Sequence, residues 1–250
     1  MGVGSSAICI RAAHSGIKKM INTSKIYKMR IVFSVSEKGP KRKDTFNAVR
    51  NMVLRSGLDY TPAKVNAHWP RLSCGPFVGS GQDAKREYID IYLRTPVPVA
   101  RVREQLDQSK PQRITILEVK RVPYALASIQ QLATAAVWTI VGDFAAYAPA
   151  QTIEKWAAAK QLDVVQQADN GMRFTTDIRP YVLQARTLAA DRVELTLLCR
   201  EQKWINPLVC IYAWLGIDIL GPLAELTDER FKIIREGLYW QDSAGDLHLI

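Results

Sequence analysis

The sequence predicts an α/β (α+β) protein made of two ferredoxin-like βαββαβ lobes in tandem, each with an antiparallel sheet. Two observations carry this. Stretches of period-two alternation, the mark of strands, are interleaved with stretches of helical period. The order strand, helix, strand, strand, helix, strand then runs twice along the 250 residues. A third observation narrows the class. The longest apolar run, "INPLVCIYAWLGIDILGPLAEL", is broken by Pro207, Asp218 and Pro222. It falls short of the ~18 uninterrupted residues of a membrane span, so it reads as a buried helix and no membrane partner is expected.

The first lobe is read over residues 26–125. "IYKMRIVFSVS" alternates and is a strand. "EKGPKRKD" is a turn punctuated by Gly39-Pro40. "DTFNAVRNMVLRSG" is a helix with Asp44 as its N-cap and Phe46, Val49, Met52 and Val53 on one face. Gly57 stops it as the residue after the C-cap. "AKVNAHWPRLSCG" reads as a strand interrupted by Pro70. "REYIDIYLRTPV" is a strand with Tyr88, Asp90 and Tyr92 on one side and Ile89, Ile91 and Leu93 on the other. "PVARVREQLDQS" is a helix opened by Pro98, and "RITILEVKRVPY" is the closing strand.

The second lobe is read over 134–250, after a joint at "YALASIQQLAT". "AAVWTIVGDF" is a strand and "PAQTIEKWAAAKQ" a helix. "MRFTTDIRPYVLQARTL" and "RVELTLLCR" are two strands, "INPLVCIYAWLG" is a helix, and "FKIIREGLYWQ" is the final strand. "DSAGDLHLI" is a polar turn leading into a short edge strand.

Charge is unevenly spread. Residues 1–130 hold 23 Lys and Arg against 9 Asp and Glu, whereas 131–250 hold 11 against 15. A basic front half fits a polyanionic partner, RNA first, or a solvated basic surface. The candidate nucleic-acid contacts are Lys38, Lys41, Arg42, Lys43, Arg50, Arg55, Arg71, Lys85 and Arg86. Tyr60, Trp69, Phe77, Tyr88 and Tyr92 are interleaved with them, so that cations hold phosphates while bases stack on aromatics of an open sheet face. No RNP-type signature is present. Residues 1–25, set apart as a basic arm, read as a disordered segment, an organellar transit peptide or the result of an upstream start. The expected location is cytoplasmic, or organellar if the arm is a transit peptide.

The cysteines, Cys9, Cys74, Cys199 and Cys210, lack C-x-x-C or zinc spacing, and neither a metal nor a cofactor is expected in this chain. The Gly-rich stretch "HWPRLSCGPFVGSG" is not a P-loop, since no Lys-Ser/Thr follows. His68 and Cys74 lie ~20 Å apart on an extended segment, too far for a catalytic pair. Its glycines read as shaping a connection between strands. For an enzymatic reading the weak catalytic candidates are Asp44, Ser73, Glu87 and Asp90, and such a reading requires them to converge in one cleft. The plain alternatives are a helix cap for Asp44 and a strand residue for Asp90. Asp177 and Arg179, two apart on a strand, read as a salt-bridged corner.

In order along the chain, "MRIVFSVSEKG", "AVRNMVLRSGLDY", "PRLSCGPFVGSG" and "EYIDIYL" resemble the motifs of a family of uncharacterised bacterial proteins linked to radical-SAM enzymes. The matching positions are Asp44, Arg55, Gly57, Leu58, Pro70, Ser73, Gly75, Pro76, Gly79, Glu87, Tyr88, Asp90 and Leu93. In the second half "TTDIRPYVL" resembles the family's D-I-R-P segment. The chain departs from the pattern at Arg42, where the family has His, at Asn47, where it has Arg, and at Val65–His68, where it has G-F-N-P. The resemblance implies a radical-SAM protein as partner and a substrate tied to RNA or the ribosome. The departures favour a non-catalytic, substrate-presenting role over an RNA-modifying enzyme with an acidic site around Asp44 and Asp90. A pure protein–protein adaptor is the remaining alternative.

Overall fold

The computed structural model describes residues 26–35, 42–79, 81–167, 171–201, 203–220 and 226–250. The arm at 1–25 and the loop cations Lys38 and Lys41 lie outside the described residues. The first half runs β1 (Tyr27–Val35), α1 (Arg42–Arg55), β2 (Leu72–Cys74), β3 (Gln82–Leu93), α2 (Val99–Ser109) and β4 (Ile114–Val122). The second runs α3 (Ile129–Leu132), β5 (Ala135–Val141), α4 (Ile153–Ala157), β6 (Asp163–Gln167), β7 (Arg173–Asp177), β8 (Val182–Ala189), β9 (Arg192–Leu198), α5 (Pro207–Leu215), β10 (Ile219–Leu220), β11 (Lys232–Gln241) and β12 (Leu247–Leu249). The class is mixed α/β with a large, mostly antiparallel sheet.

Two separate sheets were expected, and here the structure differs. The strands run on as one sheet in the order β4-β1-β3-β11-β5-β9-β8, with β2 added to β3 and β12 to β11. The junction is a parallel pairing in which Ile233, Ile234 and Arg235 of β11 face Gln82, Asp83 and Ala84 of β3. The reason lies in strand lengths. β3 has 12 residues, and β2, with 3, covers only Ile89 to Ile91 on that flank. The first part of β3 would otherwise present unpaired backbone groups, and β11 satisfies them.

Each half keeps its helices on one face. Met29, Ile31, Phe33, Ile89, Ile91 and Leu93 meet Val49, Met52 and Val53 of α1 and Val102 and Leu106 of α2. Burying each such side chain stabilises by ~1.5–3 kcal/mol relative to exposure. α1 ends where Gly57 takes φ +71, a conformation that carries no Cβ penalty only in glycine. Because α1 starts at Arg42, Asp44 falls inside its first turn and is not its N-cap. In the second half, Trp138, Ile140, Leu195 and Leu197 pack against Leu208, Val209 and Ile211 of α5. The Asn206 side chain caps α5 by accepting from Leu208 N. The buried helix read from "INPLVCIYAWLG" is therefore present, and no helix among the described residues is long and apolar enough to cross a membrane.

Several elements depart from the expected ones. The helix in "PAQTIEKWAAAKQ" is confined to Ile153–Ala157. The strand read through "MRFTTDIRPYVLQARTL" breaks into β7, a 3-10 turn at Arg179–Tyr181, and β8. β7 leaves the main sheet to pair with β6, which in turn pairs with β10. The strand expected in "AKVNAHWPRLSCG" shrinks to β2, preceded by an isolated bridge between Pro62 and Pro70; the two prolines donate no hydrogen bond to extend a ladder. The joint near "YALASIQQLAT" is more than a linker. Ser128 and Gln131 form a capping box for α3, and Ile129 is buried in the second core together with Val32 and Tyr88. The segment from Pro123 to Ala133 thus covers the helix-free side of β1 and β3.

Candidate functional site

The first half concentrates its polar chemistry on β3. Asp90 faces Arg30 on β1 and Ser73 on β2. Arg30 Nε donates to Asp90 Oδ1 at 2.8 Å, and Lys28 Nζ lies 3.0 Å from Oδ2. Lys28 also donates to the carbonyl oxygens of Leu126 at 2.7 Å and Ala127 at 3.3 Å. Lys28, Arg30 and Asp90 are 1%, 3% and 0% exposed, so two cations and one carboxylate are held together out of water. Tyr92 lies on the same side of β3. Its hydroxyl pKa is raised, chiefly by burial and next by the Asp90 charge, against the opposing effects of Arg71 and a hydrogen bond with Ser73.

Glu87 belongs to a different group. The β1–β3 register places Phe33 opposite Glu87 and Val35 opposite Ala84. The ladder shifts here, three positions of β3 spanning two of β1, next to the junction with β11. Across that junction Arg235, opposite Ala84, meets Glu87 in an ion pair with both side chains almost wholly buried. Arg235 also donates to the Pro76 carbonyl, and Glu87 Oε1 accepts from Val78 N at 3.1 Å. The Gly-rich stretch thereby gains a structural role: Pro76 and Val78 offer backbone groups to the pair that joins the two halves. Space at Gly75 is tight: an added Cβ would lie 3.0 Å from Ile129 Cγ2 and 3.1 Å from Leu238 Cδ1, and both side chains would have to give by a few tenths of an ångström.

The surface carries a third arrangement. Arg50 lies over the Trp69 ring at 4.1 Å, Arg71 over Tyr92 at 4.3 Å and Arg121 over Tyr27 at 4.7 Å. Arg71 also donates to the Tyr124 hydroxyl at 3.2 Å. Among the described residues, none of these three arginines has a carboxylate within ion-pair distance. A guanidinium stacked on a ring keeps its charge; Arg50 also donates through Nη2 to Asn47 Oδ1 at 3.0 Å.

A family model for uncharacterized proteins conserved in bacteria (DUF2344) matches residues 35–207. The chain belongs to this family. No curated protein matches it. The family region contains β3 with Glu87 and Asp90, whereas Lys28, Arg30 and Arg235 lie outside it, so the two carboxylates buried among its described residues are paired to cations from beyond its bounds.

The expected site residues divide as follows. Ser73 and Asp90 come together, being directly opposed, while Glu87 is paired with Arg235 at the junction with β11. Asp44, Arg42 and Lys43 lie in the first turn of α1. Arg55 is exposed and borders a groove with Asn51, Lys110 and Arg113 at the C-terminal ends of α1 and α2. Lys85 is paired to Glu236 at 2.7 Å, and Arg86 to Glu118 at 3.6 Å. Tyr88 and Tyr92 are buried, so the sheet face is covered, and among the described residues of the first half the exposed aromatics are Trp69 and Tyr124. Asp177 forms no corner salt bridge; its Oδ1 accepts from the backbone N–H groups of Leu162 and Arg179. No group of three His, Cys, Asp or Glu among the described residues is placed to hold a metal ion. Cys210 is fully buried, and burial pushes its thiol up to about 12.

Sequence reasoning missed Lys28, Arg30, Arg121, Tyr124 and Arg235. The signal for the first two was present: two cations at i and i+2 share one face of a strand that is otherwise apolar.

Proposed function

We propose that the chain is a non-catalytic accessory protein that binds RNA and presents it, or a ribosome-linked substrate, to a radical-SAM partner, with no cofactor of its own. The observation that carries the RNA part is the set of carboxylate-free arginines stacked on rings, Arg50 on Trp69, Arg71 on Tyr92 and Arg121 on Tyr27. Such pairs suit single strands, whose phosphates need cations, while bases can stack on the exposed rings of Trp69 and Tyr124. The non-catalytic part is supported by the state of the acids. A general acid or base must reach its substrate, and Asp90 and Glu87 are both 0% exposed and ion-paired. The radical-SAM partner rests on the motif resemblance alone.

The test is fluorescence anisotropy with a labelled single-stranded RNA across a salt series. The expected plot of log K against log salt is linear, with a slope of about −0.7 for each phosphate neutralised. Arg50→Ala and Arg71→Ala each weaken binding and flatten the slope by about one contact. Absence of RNA binding at low salt removes the reading, and a radical-SAM protein that co-purifies without RNA favours the adaptor alternative.

A further inference from the structure

Side chains stopper both ends of the large sheet. On β4, Arg103 of α2 donates to the carbonyls of Ile116 at 2.9 Å and Leu117 at 3.0 Å. On β8, the Glu154 carboxylate of α4 accepts from the Thr187 N–H. Such plugs keep an outer strand from pairing with another chain. The small sheet is different. It runs β10-β6-β7, so β7 is an outer strand, and all of its residues are exposed. Ile178 N donates to the Leu162 carbonyl at 2.8 Å, which continues the register that sets Asp177 against Asp163. Bonded pairs recur at every second position of an antiparallel ladder. Phe174 and Thr176 therefore turn their backbone groups to β6, and Arg173, Thr175 and Asp177 turn theirs outward. Among the described residues, no backbone or side-chain group bonds to those outward N–H and C=O groups.

The same strand is complementary to itself. A two-fold axis through Thr175 sets Arg173 opposite Asp177 of a second copy and Phe174 opposite Thr176. Each outward N–H then meets an outward carbonyl. Opposite charges and an aromatic–β-branched pair are favourable cross-strand neighbours. A slip of one position in either copy loses both matches. Arg173 is paired to Asp218 at 2.8 Å and keeps further donors. Asp177 uses Oδ1 for the N–H groups of Leu162 and Arg179, and its Oδ2 has no partner among the described residues. We infer that β7 pairs antiparallel with β7 of a second copy of this chain, centred on Thr175, so that two small sheets become one. The contact is isologous. It is also small, so the dimer is expected at ~10–100 µM.

Sedimentation equilibrium of the full chain over a concentration series tests it. The unchanged chain is expected to pass from monomer to dimer in that range, and a monomer at every concentration overturns the pairing. Thr175→Pro removes an N–H that β6 does not use, so the β6–β7 ladder stays whole while the central bonds of the dimer are lost. It is expected to weaken association at least ~10-fold, with the circular dichroism spectrum and thermal midpoint unchanged. Arg173→Glu, which sets like charges against each other, is expected to act in the same direction. Cross-linking reads the register. Residues of a bonded pair lie about 5.5 Å apart at Cα, within disulfide reach. Thr175→Cys is therefore expected to form a disulfide dimer under mild oxidation, well beyond any formed by the unchanged chain. Arg173→Cys, offset from its own copy by roughly 13 Å along the strand, is not. Equal cross-linking at both positions, or a dimer that Thr175→Pro leaves intact, overturns the inference.

Discussion

Glu87 and Asp90 sit three positions apart on one strand and are equally buried, yet they are neutralised in different ways. Glu87 meets Arg235 at the line where the two halves join, and backbone groups of Pro76 and Val78 take part in the arrangement. Asp90 meets two cations, Lys28 and Arg30, under a covering segment, and the group keeps a surplus charge. The difference teaches that burial and pairing alone do not assign a role. A balanced pair at an internal seam is what register and docking require. An unbalanced one leans on backbone dipoles, here the Leu126 and Ala127 carbonyls that accept from Lys28.

Removing a carboxylate separates the two most sharply. Asp90→Ala strands two buried cations, and the expected loss is at the upper end of the ~3–5 kcal/mol typical of breaking a buried pair, or beyond it. Against a usual total of ~5–15 kcal/mol this leaves little stability, and urea unfolding monitored by circular dichroism reads it. Glu87→Ala strands one cation, so its loss lies within that range and below that of Asp90→Ala. If Glu87→Ala proves the costlier, the surplus-charge account of Asp90 fails.

The Glu87–Arg235 pair allows a second comparison. Replacing both partners together, Glu87→Leu with Arg235→Met, is expected to cost less than either single change, because no lone charge remains. A double variant as unstable as the sum of the singles means that the Pro76 and Val78 contacts, not the charges, hold the seam.

The smallest effect belongs to a pair at the surface. Arg230 grips Asp228, and Tyr212 donates to the same carboxylate at 2.5 Å, which brings the Asp228 pKa down to about 2. A depressed acid stabilises above its unfolded pKa and loses that contribution as pH falls through its folded one. The expected loss therefore falls between roughly pH 5 and pH 2, and it amounts to less than ~1 kcal/mol because Arg230 is solvent-screened. Asp228→Asn should abolish this part of the acid-unfolding curve without changing stability at pH 7 by more than the same amount.

Strands such as "REYIDIYL" and "MRIVFSVS" were legible because alternation marks them whatever covers each face. What alternation could not tell is that both faces are buried. Lys28, Arg30 and Asp90 look like the wet side of a half-exposed sheet, and only the segment from Pro123 to Ala133 makes them interior. That segment reads as a joint because its one helix spans four residues, Ile129–Leu132, too short for a periodic signal. β6 was invisible for a related reason: "DVVQQ" is brief and follows a run of alanines and lysines that reads as helix. The cation-rich character of the front half was plain from composition, whereas the pairing of each cation depends on contacts distant in sequence, as between Lys85 and Glu236.

The placement of β11 has a consequence for how the molecule comes into being. This strand is encoded near the finish of the sequence, yet it lies mid-way across the sheet, with β3 on one flank and β5 on the other. During synthesis, the first βαββαβ half can assemble early, but its exposed strand border must wait for more than a hundred further residues before its partner emerges. Pairings so distant along the chain are slow to form. Any shortening that removes Lys232–Gln241 should leave two half-sheets with raw, adhesive borders instead of one slightly smaller protein.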